Sequence, residues 1–148
     1  MRMTMVAAAA CMTVLAACGP KTPGEIAAHE RHENFESLGK AYKTLGDEAK
    51  KPAPDAAVMQ AQAVKISELA QDLPDWFPEG SGPQDGVRTH ALEAVWTRPT
   101  EFQIRALNLQ AKAEAARVAG LLGVDAMQPL VGSLGGACKG CHDNFRKK

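Results

Sequence analysis

Cys138-Lys139-Gly140-Cys141-His142 places two cysteines three positions apart, with a histidine directly after the second, near the end of a 148-residue chain. This spacing suits covalent attachment of a haem. Each thiol can add to one vinyl group of the porphyrin, so that two thioethers hold one edge of the ring. His142 then falls under the iron and supplies an imidazole nitrogen as axial ligand. Other uses of such a pair fit less well. A structural zinc site needs four ligands, and beyond the targeting segment at the N-terminus the chain offers His29, His32 and His90 but no second cysteine pair. A redox dithiol opens a helix, where the dipole favours thiolate. Here the pair lies near the end of the last helical segment.

The N-terminus reads as a targeting segment. Arg2 precedes an apolar run from Met5 to Ala17 that is short for a membrane span. The run ends Leu15-Ala16-Ala17-Cys18-Gly19, which resembles the lipobox of bacterial lipoproteins; an ordinary secretory peptide is the alternative. By that resemblance residues 1–17 are a signal peptide, Cys18 carries lipid, and residues 18–23 form a linker. Gly19 in place of Asp then points to the outer membrane. Of the four cysteines, Cys11 leaves with the peptide, Cys18 is lipidated and Cys138 and Cys141 hold haem. None remains for a disulfide, although export would permit one. A periplasmic location also agrees with haem attachment.

The elements that must position this motif are helical. No run of β-branched residues alternates with period two, and residues 24–148 hold enough chain for one core. Seventeen basic residues balance seventeen acidic ones, so no nucleic-acid footprint is present. Thr22-x-x-Glu25 is a capping box opening a first helix with the stripe Phe35, Leu38, Tyr42, Leu45. Arg31 lies on that stripe, so its charge faces the core and needs a partner. Lys50 to Pro54 breaks the helix. A second carries Met59, Ala63, Ile66, Ala70 and Leu73 on one face. The long segment Pro74 to about Arg98 follows, irregular but holding Trp76, Phe77 and Trp96. Thr97 or Thr100 is expected to cap a third helix, whose stripe is Phe102, Ala106, Leu109, Ala113 and Ala116. Gly123 ends it, and Asp125 with Gln128 is expected to open a fourth with Met127, Val131, Leu134, Cys138, Cys141 and Phe145 facing inward. The sum is an all-α antiparallel four-helix bundle with one buried haem.

With these residues assembled, the chain resembles the cytochrome c′ family. The resemblance rests on Gly135-x-x-Cys138-Lys139-x-Cys141-His142-x-x-Phe145-Arg146, on Leu73-Pro74-x-x-Phe77-Pro78-x-Gly80-Ser81 continuing to Thr89-x-Ala91 and Val95-Trp96, and on Arg31 with Phe35. It implies one haem c on Cys138 and Cys141, with His142 on the iron. It also implies that Arg31, Thr89 and the His32 position contact the haem and its propionates, and that Arg146 lies by the proximal face. His32 departs from the family pattern.

Phe35 separates two branches of the family. A methionine there binds the iron in the low-spin cytochrome c-556 type; Phe35 cannot, which implies a five-coordinate, high-spin iron open to NO and CO. Of the two later methionines, Met127 lies about 22 Å from His142 along one helix, and Met59 reads as core filler. A histidine as sixth ligand would have to be His29, His32 or His90. No acid–base pair marks the chain as an enzyme. The rival reading is an electron-transfer cytochrome, which would need a redox partner protein that nothing in the chain names. The family also leaves room for a homodimer through the first two helices.

Overall fold

The computed structural model describes residues 21–148, so Cys11, Cys18 and the expected signal peptide lie outside it. Helix α1 spans Pro23–Glu48 and α2 spans Ala56–Asp72. A one-turn helix α3 (Ala94–Thr97) precedes α4 (Pro99–Gly120) and α5 (Val124–Phe145). The four long helices form an antiparallel bundle in which α1 packs on α2, α2 on α4 and α4 on α5, while α1 and α5 meet more sparingly. Two connections are short. The third, between α2 and α4, carries two 3-10 turns (Leu73–Trp76 and Pro83–Asp85) as well as α3, so it is more ordered than its composition suggests.

The start of α1 follows the expected chemistry. Thr22 Oγ1 accepts from the Glu25 backbone N–H at 3.2 Å, and Glu25 accepts from the Thr22 N–H at 2.7 Å. These bonds satisfy two backbone donors that a helix start leaves open. The other starts differ. Neither Thr97 nor Thr100 caps α4; Arg98 occupies that position without a capping bond from its side chain, and Pro99 begins the helix. Proline at that position has no N–H to satisfy and a dihedral already suited to helix. Nor do Asp125 and Gln128 box the start of α5. Gly123, at φ 107, precedes it, and Gln128 donates instead to the Ala49 carbonyl across the bundle at 2.6 Å.

The second and third inward stripes are buried as their spacing requires, while Phe35 and Tyr42 of the first and Val131, Cys138 and Cys141 of the fourth are partly buried against the core. Met59, Ala63, Ile66, Ala70 and Leu73 of the second stripe and Phe102, Ala106, Leu109, Ala113 and Ala116 of the third are all in the core. Each large side chain so buried contributes about 1.5–3 kcal/mol. The many alanines let helices approach closely. At the upper end, Tyr42 of α1 lies directly over Gly135 of α5, where a Cβ would collide with its hydroxyl, and that hydroxyl donates to the Val131 carbonyl at 3.3 Å. At the lower end Gly24 leaves no room for a Cβ against the Gly80 carbonyl, so the long connection is pressed onto the first turn of α1. The exposed large apolar side chains lie mainly on α4 and the turn after it (Ile104, Leu107, Val118, Leu121, Leu122), with Ile26 on α1.

Candidate functional site

The lower half of α5 carries the cysteine pair. Cys138 and Cys141 are partly buried, packed against the core, and neither is in a disulfide. They stand one turn apart on the stripe that continues from Leu134 to Phe145. Burial pushes the Cys138 thiol up. Cys141 is pushed up to about 11, chiefly by burial and then by Cys138, with Arg105 opposing. Both therefore stay protonated at neutral pH, the reverse of an activated redox dithiol. His142 lies at the surface in the last turn of α5. Crowding around its ring, then the charge of Arg146, lower its pKa, while Asp143 raises it. The balance favours neutral imidazole, the form that binds a metal.

Across the bundle, α1 contributes Arg31 and Phe35. Arg31 is 3% exposed, and among the described residues no carboxylate pairs with it. Its Nη1 donates to the Trp76 carbonyl and to Ser81 Oγ, both at 3.0 Å. Its Nη2 donates to the Ser81 carbonyl at 3.0 Å and to Thr89 Oγ1 at 2.9 Å. The guanidinium also sits 4.7 Å from the Phe77 ring centre and 5.6 Å from that of Trp96, distances at which a cation is attracted to the ring face. Burial lowers its pKa to about 10, which leaves it charged at neutral pH. The partner that a buried charge requires is thus a ring of neutral oxygens and aromatic faces.

Phe35 belongs to an aromatic wall. Its ring meets Trp76 edge-on at 5.1 Å and Phe77 at 6.1 Å. Phe77 then meets Phe102 at 4.8 Å, and Phe102 meets Phe145 at 5.5 Å. Phe145 lies one turn beyond His142 on α5. A continuous series of rings therefore joins the Arg31–Phe35 group on α1 to the end of the helix that carries the cysteines.

Of the residues anticipated from sequence, the structure unites Arg31, Thr89 and Phe35 around the long connection. Cys138, Cys141, His142 and Arg146 gather at the end of α5. His32 is exposed on α1, as are His29, 3.6 Å from Glu33, and His90 on the connection. Arg146 is exposed and extended at the cap of α5. Two participants were not foreseen in these roles. Ser81, wholly buried, supplies two of the four acceptors to Arg31 from fifty positions away. Arg105 of α4 lies against Gly140, between the cysteines: its Nη1 would be 3.6 Å from a Cβ there, and its Nε is buried without a partner. No local spacing signals either one.

The donor set suits haem c. Two protonated, unpaired thiols and a neutral imidazole come in the order that thioether attachment and axial ligation need, beside apolar and aromatic side chains. When bound, the group supplies an iron that can change oxidation state or take a further ligand. Among the described residues, no three His, Cys, Asp or Glu side chains cluster in a way that could hold a metal ion by themselves, as a structural zinc site would. No helix among them is long and apolar enough to cross a membrane.

Comparison with known proteins agrees with this arrangement. Residues 27–146 match the family described as Cytochrome C′. A cytochrome c′ of Pararhodospirillum photometricum is 33% identical over 119 residues, covering 79% of this chain and 93% of that one. Cytochrome c-554 of Cereibacter sphaeroides is 30% identical over 120 residues, covering 80% and 78%. Among solved structures, cytochrome c′ from Rubrivivax gelatinosus superposes with a TM-score of 0.76 at 29% identity, covering 84% of this chain and 97% of that one. A helical bundle ending in a Cys-x-x-Cys-His turn and matched over nearly all its described length leads to one conclusion: the chain belongs to the cytochrome c′ family and is a c-type haem protein with one covalently bound haem.

Proposed function

We propose that this protein binds small neutral gases, NO and CO, at a five-coordinate haem iron in the periplasm. In this reading Cys138 and Cys141 form the thioethers and His142 is the single protein ligand. Phe35 carries the argument: it offers no lone pair, and Trp76 and Phe77 hold it edge-on in the aromatic wall. Met59 and Met127, the two methionines of the described residues, are sealed in the core at 0% and 1% exposure. Neither can turn toward an iron without opening the bundle. An apolar aromatic wall beside the iron would disfavour water and anions and favour small apolar ligands.

Arg31 and Thr89 hold the distal wall through the bonds described above, and Arg31 Nε is the donor left to meet a propionate. Arg146, beside His142, lies where it would face the proximal side. The His32 position is exposed and would reach a propionate only at the rim. The sequence Leu15 to Gly19 further supports a lipid on Cys18 and tethering to the outer membrane.

The second reading is an electron-transfer cytochrome of the low-spin c-556 type, a name that some relatives carry. Electronic absorption and electron paramagnetic resonance of the purified ferric protein separate the two. High-spin signals, with NO and CO binding to the ferrous form, are expected. A purely low-spin ferric spectrum would overturn the gas-binding reading in favour of the second.

A further inference from the structure

The chain stretches beside the cysteine pair, the start of α4 and the end of α5 with its tail, are rich in cations, although the whole chain is neutral. Arg98 and Arg105 from α4 join Lys139, Arg146, Lys147 and Lys148 there. Contacts on the page gather them. The Arg98 guanidinium lies 5.2 Å from the Phe145 ring centre, and its Nη2 donates to the Asn144 carbonyl at 3.3 Å. Arg105 lies against Gly140. The Lys147 backbone N–H donates to the His90 carbonyl at 2.8 Å, fixing the tail against the long connection. Three carboxylates share this surface: Glu93, Glu101 and Asp143. Arg98 pairs with Glu101 at 2.7 Å, and Lys139 pairs with Asp143. Arg105, Arg146, Lys147 and Lys148 have no carboxylate partner among the described residues. The start of α4 and the end of α5 with its tail thus bring six cations together with Glu101 and Asp143, and Glu93 stands just before them in the chain.

We propose that this face docks an acidic one-electron-transfer protein, with Arg105, Lys147 and Lys148 as its principal cationic contacts. The proposal rests on haem attachment at Cys138 and Cys141, because that makes this the end at which an electron has the shortest path to the iron. Electron transfer needs such a donor at every turn, and gas binding needs one to bring a ferric iron to the ferrous form. A local excess of one sign steers an oppositely charged partner and raises its association rate. Arg105 adds a feature that surface lysines lack. Its Nε is buried and unpartnered, so part of its desolvation has already occurred, and a carboxylate arriving at its outer edge meets a pre-positioned fork.

The test uses the haem-loaded protein and flavodoxin, an acidic one-electron donor, as probe. Each flavodoxin hydroquinone loses one electron and becomes semiquinone as one ferric iron becomes ferrous. The stopped-flow rate is expected to fall roughly tenfold from about 10 mM to about 0.2 M salt. At low salt it should fall about threefold in the Lys147→Gln, Lys148→Gln double variant and similarly in Arg105→Gln. Reduction of the double variant by neutral lumiflavin semiquinone should match the wild type. Isothermal titration with oxidised flavodoxin reads docking whether or not an electron moves, and binding should weaken in the same variants. A flavodoxin rate and affinity unmoved by salt and by the substitutions would overturn the proposal. So would retention of both in variants that lose binding to phosphatidylglycerol vesicles, which would assign the face to a lipid surface. If mass spectrometry shows no haem on the cysteines while titration still shows salt-dependent docking, the attachment reading fails and the docking face stands.

Discussion

Arg31 of α1 and Thr89 of the long connection, 58 positions apart, are joined by a 2.9 Å hydrogen bond from Nη2 to Oγ1. That bond is one of four by which a single buried guanidinium gathers Trp76, Ser81 and Thr89 around the helix that carries Phe35. All four terminal N–H groups are used. The wall facing the proposed iron site is therefore held by a positive charge surrounded by neutral oxygens. Removing the charge leaves several buried acceptors without a donor.

Arg31→Ala should destabilise the protein by about 3 kcal/mol, because it strands buried oxygens and opens a cavity. Arg31→Lys should recover only part of this, since an ammonium cannot span four acceptors in one plane. Urea denaturation of the haem-loaded protein measures both. Equal stability of the alanine variant and the wild type would contradict the clamp.

On the proposed five-coordinate reading, Phe35→Met should convert the ferric haem from high spin to low spin, because it would offer a thioether where the distal wall is proposed to face the iron. The change is read in the absorption spectrum, and CO affinity of the ferrous form should fall at the same time. An unchanged spin state would mean that α1 is not the distal wall.

The crossing of α1 and α5 depends on Tyr42 lying over Gly135. Gly135→Ala should cost about 1–3 kcal/mol by overpacking, despite alanine's better helix propensity. Tyr42→Phe alone should cost about 1 kcal/mol through loss of the bond to Val131. In the double variant the penalties should not add, because removing the hydroxyl relieves the collision. Thermal unfolding of all four proteins tests this, and additive losses would argue against direct contact.

Glu114 joins α4 to α2 through Ser67 Oγ at 3.1 Å and accepts two bonds from Arg117. Arg117 first, then Ser67, hold its carboxyl down at about 2, against an ordinary value of 4.5. A depressed folded pKa contributes stability that is full above the unfolded value and lost as pH falls toward the folded one. Acid unfolding should therefore draw on this group between about pH 4.5 and about 2. Glu114→Gln should flatten the stability curve over that interval, and an unaltered curve would remove Glu114 from the acid response.

The order Cys138, Cys141, His142, the four apolar stripes and the Thr22–Glu25 cap are properties of short spacings. Three- and four-residue steps decide which side chains share a helix face whatever the partner is. The sequence by itself thus determined an all-α bundle, the covalent haem motif and the place of its two cysteines on the inner stripe of the last helix. That Phe35 stands where the family's other branch has an iron ligand rests on the resemblance, and its side chain has no lone pair to offer. Tertiary structure alone decided what satisfies Arg31, because Ser81 and Thr89 reach it only after the long connection folds back over α1. It also decided that Gln128 bonds across to Ala49 instead of capping its own helix, and that Arg105 comes to rest beside Gly140. These pairings join residues 35 to 79 positions apart, where only the packing of one helix against another sets the distance.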